Sequence, residues 1–394
     1  MSGHRVPVLA DVDRRPARPA EAKAGRIHIL FTHPFFWPHV NRGAEREIHD
    51  LGTRLVARGH DVTLVTTQPH GVTSAREVDG IHVRYIRGFH TPKRLLRTGA
   101  DDTAPFVFAS AIGSYFARSD IVHCWHYVDA AAVVGRGRPV FLKVTGSVTK
   151  ERMSRSRLHT RLIERAFSRA DVVWCNSDWV IEQMSGFNRE MTVMPAGVDR
   201  QRFRPFGERA PHPTALSTSA PTEPRKRLVD LIDAWPTVRS AHPSAELRLA
   251  GDAPREVRAE LLGRLPDADR SSVVFLGRLT TDELVGEYSA AWVTVMPAVY
   301  EALGLSTLES LACGTPVIGA ESGATPMLLG DPGTGTLFEP TDPGDLARVM
   351  TSRLRTPPLD RERCRAASAA YDWEAITDRI EDAYRAALGG SLDS

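Results

Sequence analysis

Apolar residues along the chain fall into short continuous runs separated by stretches with helical spacing. Residues 26–31 (RIHILF) read as a strand, and from 44 to 58 the apolar positions Ala44, Ile48, Leu51 and Leu55 recur at helical intervals until Gly59 stops them. Residues 62–67 resume as a strand, so the chain opens with the βαβ unit of a parallel sheet. The same alternation predicts strands at 81–86, 121–125, 140–144, 172–175 and 191–194, then at 215–219, 246–250, 273–276, 292–296 and 336–338. Helices are expected between most of them, including 225–240, one from Asp342, and one from Asp360 to the C-terminus. An α/β class with doubly wound sheets follows.

The run of elements lapses at 195–224 into Pro, Gly, Ser and Thr, as a domain boundary does. With 394 residues, the chain also exceeds the size that one hydrophobic core usually serves. The expected division is an extension at 1–25, an N-terminal domain at 26–205, a C-terminal domain at 206–370, and a final helix at 371–394 packing back on the first domain. The extension lacks the apolar core of a secretory signal, and no stretch reaches the length of a membrane span. A net charge of +2 removes the global argument for a nucleic-acid partner. The four cysteines show neither a CxxC pair nor a disulfide-rich spacing, which points to a reducing cytoplasm.

Chemistry concentrates in 297–320. Glu301 and Glu309 stand eight positions apart around Gly304, and from Leu305 a helix with Leu308, Leu311 and Ala312 on its apolar face is expected. Fully helical spacing would separate the carboxylates by about 12 Å, a span suited to the two ends of a polyhydroxylated ligand. Glu309, at the margin of that face, is expected to point into a polar cleft. Amides of Gly304, Leu305 and Ser306 at a helix N-terminus could receive a phosphate between the carboxylates. The plainer alternative is a loop charge and a solvated helix residue.

The stretch resembles the E-x7-E signature of the retaining, nucleotide-sugar-dependent glycosyltransferases of family 4. Ordered matches extend the resemblance from about 26 to 384: Gly43-Ala44-Glu45, Arg58-Gly59-His60-Asp61-Val62, Ala196-Gly197-Val198-Asp199 with Phe203-Arg204-Pro205, and Leu249-Ala250-Gly251-Asp252. It implies the GT-B architecture, two facing Rossmann-like domains with an interdomain cleft. It also implies that Glu309 accepts bonds from the donor ribose, Glu301 holds sugar hydroxyls, Lys226 contacts the diphosphate and Gly43 approaches diphosphate and sugar. Glu301 and Lys226 would be the catalytic pair, and no metal or other cofactor is required beyond the nucleotide sugar as co-substrate.

The chain departs from the family at several positions. Arg42-Gly43 replaces paired glycines, and Ser219-Ala220 stands where a phosphate-binding arginine is usual, leaving Arg225 or Arg227 to compensate. Thr145 replaces a histidine, Ala324 a glycine and Met327 a glutamate. Arg42, His126 and Thr145 are the acceptor-side candidates, with His123 and the aromatic loop 33–39 beside them. The basic run 150–169 is expected to be a docked helix with a solvated face rather than a membrane surface.

The function expected is transfer of a hexose-type sugar from a UDP-sugar, or next a GDP-sugar, to a hydroxyl or other nucleophile, with a small specialised metabolite favoured as acceptor. A GT-B nucleotide-sugar epimerase and a non-catalytic sugar-nucleotide-binding helper are the alternatives. Donor and acceptor are the only partners expected, with no nucleic acid.

Overall fold

The computed structural model describes residues 25–36, 43–68, 74–87, 113, 119–146, 157–187, 189–219, 221–358 and 360–389. The described residues form two compact units, one of residues 25–196 together with those from Trp373 onward, the other of Gly197–Asp372.

The first unit is built on strands β1 (His28–Thr32), β2 (Asp61–Gln68), β3 (Ser74–Val78), β4 (Ile81–Arg87), β5 (Ile121–Cys124), β6 (Val140–Val144), β7 (Val172–Cys175) and β8 (Thr192–Val193). They lie in the order β3-β4-β2-β1-β5-β6-β7-β8. All pairs are parallel except β3 with β4. The continuous apolar runs are explained by burial on both faces: Leu30, Phe31, Leu64, Ile121 and Phe141 are fully enclosed. Strand β3 escapes a reading based on apolar runs because its sequence, SAREV, is polar and largely exposed at the sheet edge. Its turn is nevertheless legible: Asp79-Gly80, both at positive φ, join the paired residues Val78 and Ile81, as a tight hairpin requires.

The helix Trp373–Gly389 completes this unit by burying Trp373, Ile376, Ile380 and Tyr384. Arg58, at the end of the helix Gly43–Ala57, reaches Asp378 at 2.7 Å, Glu374 at 3.0 Å and Glu381 at 3.2 Å. Glu374 and Asp378 are more than half exposed, so each of their pairs contributes only about 0.2–1 kcal/mol. The buried apolar face contributes more, at about 1.5–3 kcal/mol for each large side chain.

The second unit holds strands β9 (Thr214–Ser217), β10 (Glu246–Ala250), β11 (Val273–Gly277), β12 (Val293–Met296), β13 (Val317–Ala320) and β14 (Gly335–Phe338), all parallel in the order β11-β10-β9-β12-β13-β14. The helices Leu228–Ala241 and Pro343–Arg353 lay Leu231, Trp235, Leu346 and Met350 against Leu247, Val293, Val295 and Ile318. Two expected helices change. The one from Asp360 is broken into Arg361–Ala367, a 3-10 turn at Ala369–Tyr371 and Trp373–Gly389. Residues 225–240 are not one helix, because Pro224–Lys226 form a 3-10 turn and Arg227 takes a left-handed conformation at φ 51°. Arg227 is held there by a bidentate pair with the buried Asp230, at 2.7 and 2.8 Å.

In both units the sheet starts in its middle and grows first one way, then the other. The order therefore reverses between β1 and β5 in the first unit and between β9 and β12 in the second. Loops leaving the carboxyl ends of such strand pairs are where open α/β sheets receive ligands.

Candidate functional site

Strands β9 and β12 are neighbours, pairing Ala215 with Val293 and Leu216 with Thr294. Their outgoing loops therefore meet, although Lys226 and Glu301 are 75 residues apart. Lys226 Nζ lies 2.6 Å from Glu301 Oε1, and an Arg225 guanidinium nitrogen lies 2.9 Å from the same oxygen. Two cations thus share one carboxylate oxygen, and Arg225 also reaches the half-exposed Glu223 at 3.4 Å, so the cluster is close to charge balance. Arg225, 42% exposed at its side chain, occupies the neighbourhood in which the sequence lacks its usual arginine. Ser219 is buried with its hydroxyl unpartnered, and Ala220 lies outside the described residues.

Backbone contacts knit the loops together. Val299 N–H donates to Arg225 O at 3.1 Å, Tyr300 N–H to Ser322 Oγ at 3.1 Å, and Ala324 N–H to Glu301 O at 2.8 Å. Gly323 (φ 63°) has no room for a side chain, since a Cβ there would stand 2.4 Å from Glu301 O and 2.6 Å from Glu301 N. Tyr300, the residue before Glu301, adopts φ 58° and is 65% exposed.

Gly304, at φ 94°, caps the helix Leu305–Ala312, where Thr307 N–H already donates to Gly304 O at 2.9 Å and the two amides before it precede any i−4 carbonyl of the helix. Leu305 and Ser306 carry those two amides. The helix is buried over more of its circumference than a single apolar face implies: Thr307, Glu309 and Ser310 are enclosed along with Leu308 and Leu311. Glu309 is only 3% exposed, which rules out the plainer alternative of a solvated helix residue. Its Oε2 accepts a hydrogen bond from Tyr288 Oη at 3.1 Å, which accounts for a carboxylate at so enclosed a position. Since residues 301–304 are not helical, the 12 Å estimate for continuous helical spacing does not describe this pair.

In the first unit, Arg42, Trp37 and His39 lie outside the described residues. Gly43 is the exposed first residue of its helix. His126 caps the helix Tyr127–Val133, its Nδ1 accepting from Val128 N–H at 3.4 Å, and its ring stacks on Tyr127. Thr145 is half-buried after β6, and its carbonyl accepts from Asn176 at 3.4 Å. His123 belongs to the core: it is 1% exposed, stacks on Trp125, and its Nδ1 is 2.6 Å from Tyr384 Oη. Burial, reinforced by the Lys143 charge, holds its imidazole well below the usual range and keeps it neutral. Lys143, itself buried, pairs with Glu47 at 3.4 Å and donates to Met194 O.

Sequence reasoning passed over Asp129, which is fully buried behind the β1/β5 reversal with neither carboxyl oxygen hydrogen-bonded. Burial drives its pKa well above the carboxylate range, while the neighbouring Thr32 hydroxyl pulls it the other way. Above the unfolded-chain value the folded state keeps a proton that the unfolded chain has lost. Stability therefore declines by about 1.4 kcal/mol per pH unit until the folded carboxyl titrates. Asp129→Asn is expected to gain stability over wild type along that slope, converging with it in acid. Denaturant titrations from pH 4 to 7 read the gap, and parallel curves would count against a buried neutral acid.

Among the described residues, no group of three His, Cys, Asp or Glu side chains could hold a metal ion. Nor is any described helix long and apolar enough to cross a membrane.

Residues 41–202 match the model of Glycosyltransferase Family 4, and residues 212–356 match that of Glycosyl transferases group 1. A glycogen synthase of Mycobacterium tuberculosis is 26% identical over 408 aligned positions, covering 92% of this chain and 96% of that protein. Among solved structures, a sucrose-phosphate synthase from Thermosynechococcus elongatus superposes with a TM-score of 0.76 at 21% identity, covering 93% of this chain and 100% of the other. Anabaena HepE in complex with UDP and glucose gives a TM-score of 0.69 at 18% identity over 92% of this chain and 100% of the other.

Proposed function

Because the chain belongs to the family-4 glycosyltransferases of GT-B fold, we propose that it moves a hexose-type sugar from a nucleoside diphosphate to an acceptor hydroxyl or other nucleophile, with retention at the anomeric carbon. The observation that carries this reading is the meeting of Lys226, Arg225 and Glu301 at the β9/β12 reversal. An anionic donor entering there competes with Glu301 for both cations. Lys226 and Arg225 turn to the diphosphate, and Glu301, released from them, takes the sugar hydroxyls. First-turn amides from Gly304 to Ser306 add hydrogen bonds to phosphate oxygens, and Glu309 receives the ribose hydroxyls.

In the transfer step the bond from the anomeric carbon to the diphosphate oxygen breaks while the acceptor oxygen bonds to the same face. The acceptor proton passes to the departing diphosphate, whose growing charge Lys226 and Arg225 stabilise. No carboxylate nucleophile is required. A UDP-sugar is the favoured donor, consistent with a structural neighbour that binds UDP and glucose, and a GDP-sugar is next. Acceptor recognition is assigned to the first unit, with a small metabolite as the favoured acceptor and the cytoplasm as the setting.

A thermal-shift series with UDP, GDP and ADP tests the donor class. A ligand at one hundred times its Kd adds about 2.7 kcal/mol of stability, so UDP should raise the melting temperature by several degrees. If no nucleoside diphosphate moves it, the proposed donor site fails. Products formed with donor and an acceptor panel, with the anomeric configuration read by NMR, test transfer and retention. Conversion of the donor sugar without an acceptor would mark an epimerase instead.

A further inference from the structure

Glu309 is enclosed, and the group that meets it is a tyrosine from a different helix. Tyr288, in the helix Thr281–Ala290, is completely buried, with its hydroxyl 3.1 Å from Glu309 Oε2 and 3.2 Å from Thr218 Oγ1. A carboxylate can only accept, so the single phenolic proton is committed to Glu309. With that proton committed, the 3.2 Å contact is a hydrogen bond only with Thr218 as donor, in competition with the weaker sulfur acceptor Met296 Sδ at 3.8 Å. The result is a directed chain, Thr218 Oγ–H to Tyr288 Oη–H to Glu309 Oε2, running from the residue just past β9 to the helix Leu305–Ala312. Burial and the Glu309 charge hold the phenol well above its ordinary pKa, so it remains a donor throughout the working pH range.

We infer that Tyr288 is a positioning residue for the donor ribose, fixing the plane of the Glu309 carboxylate through its hydroxyl and tying that carboxylate to the β9 loop through Thr218. This rests on the reading of Glu309 as the ribose contact and extends it to two residues with no role in the E-x7-E pattern. A flexible carboxylate would lose freedom on meeting two vicinal hydroxyls, and one already held by a phenol has less to lose. Ring packing is a separate matter. Tyr288 fills a buried position regardless of its hydroxyl, so Tyr288→Phe keeps the volume and removes only the donor.

The test measures the affinity of UDP and of 2′,3′-dideoxy-UDP by calorimetry, with GDP and its dideoxy analogue substituted should GDP be the nucleotide that binds. Wild type should prefer the full ribose, and Glu309→Gln should abolish that preference. Tyr288→Phe should weaken UDP roughly tenfold, as loss of a hydrogen bond to a charged group does, while leaving the dideoxy compound unchanged. Thr218→Val should show the same signature at smaller size, with the unliganded melting temperature of each variant recorded alongside. If Tyr288→Phe weakens both nucleotides equally or neither, the tyrosine is structural and the inference falls while Glu309 keeps its role. If Glu309→Gln leaves the preference intact, Glu309 is not the ribose contact, and both readings fall.

Discussion

Lys226→Ala is expected to lower the rate of sugar transfer by about 10²–10³-fold, the loss typical of removing one preorganised group from a developing charge. The fold should survive. Lys226 is only partly buried, and its partner Glu301 retains Arg225 at 2.9 Å, so the substitution leaves no stranded buried charge. Glu301→Gln should cost a similar factor by a different route. It removes the charge that holds the two cations in the free protein, yet the group proposed to meet the sugar is lost. The two variants therefore separate in binding: Lys226→Ala should weaken UDP and UDP-sugar alike, whereas Glu301→Gln should weaken only the sugar-bearing donor. Single-turnover assays with calorimetry on each variant provide the measurement. Near-normal turnover in both would refute the proposed site.

Gly323→Ala should be the most damaging single-methyl change in this region. The backbone there is left-handed at φ 63°, which costs a non-glycine residue about 1–2 kcal/mol. The larger effect is steric, because the new methyl would lie 2.4 Å from Glu301 O and 2.6 Å from Glu301 N. Neither atom belongs to a side chain that can swing aside. The strand of contacts from Arg225 through Val299 and Glu301 to Ala324 must move as a unit, and a displacement near 1 Å at a reacting centre costs about 10²-fold in rate. Gly330→Ala is the control, since nothing lies within 4 Å of its Cβ. Activity and melting temperature measured on both should diverge sharply. An active, stable Gly323→Ala protein would show that the Glu301 loop tolerates rearrangement.

Much of the fold was legible because its strands are buried on both faces and so appear as unbroken apolar runs, as at Val172–Cys175 and Val317–Ala320. The edge strand Ser74–Val78 carries no such run and was missed; the Asp79-Gly80 turn after it is its local sign. The break at Arg227 had no clear local sign. A left-handed arginine is stabilised by its pair with Asp230 and by the loop contacts around it, not by any intrinsic preference for that conformation. In the candidate site, Glu301, Glu309 and Lys226 stood out by spacing and resemblance. Tyr288 and Asp129 did not, since nothing near them in the chain marks a buried tyrosine as the partner of a distant glutamate or a helical aspartate as unpaired.

By itself, the sequence determined that strands and helices alternate, that the chain is long enough for two cores, and that a helix opened by Gly304 follows one potential ligand carboxylate, Glu301, and carries another, Glu309. These are properties of local period and residue type. Tertiary structure decided which loops meet. Pairing of β9 with β12 brings Lys226 and Arg225 onto Glu301, and packing of the helix Thr281–Ala290 encloses Glu309 beneath a tyrosine hydroxyl. It also withdrew His123 into the core and left His126 as a helix cap. The physical reason is that periodicity reports which face of an element is apolar, whereas charge pairing and burial depend on neighbours supplied by sheet order.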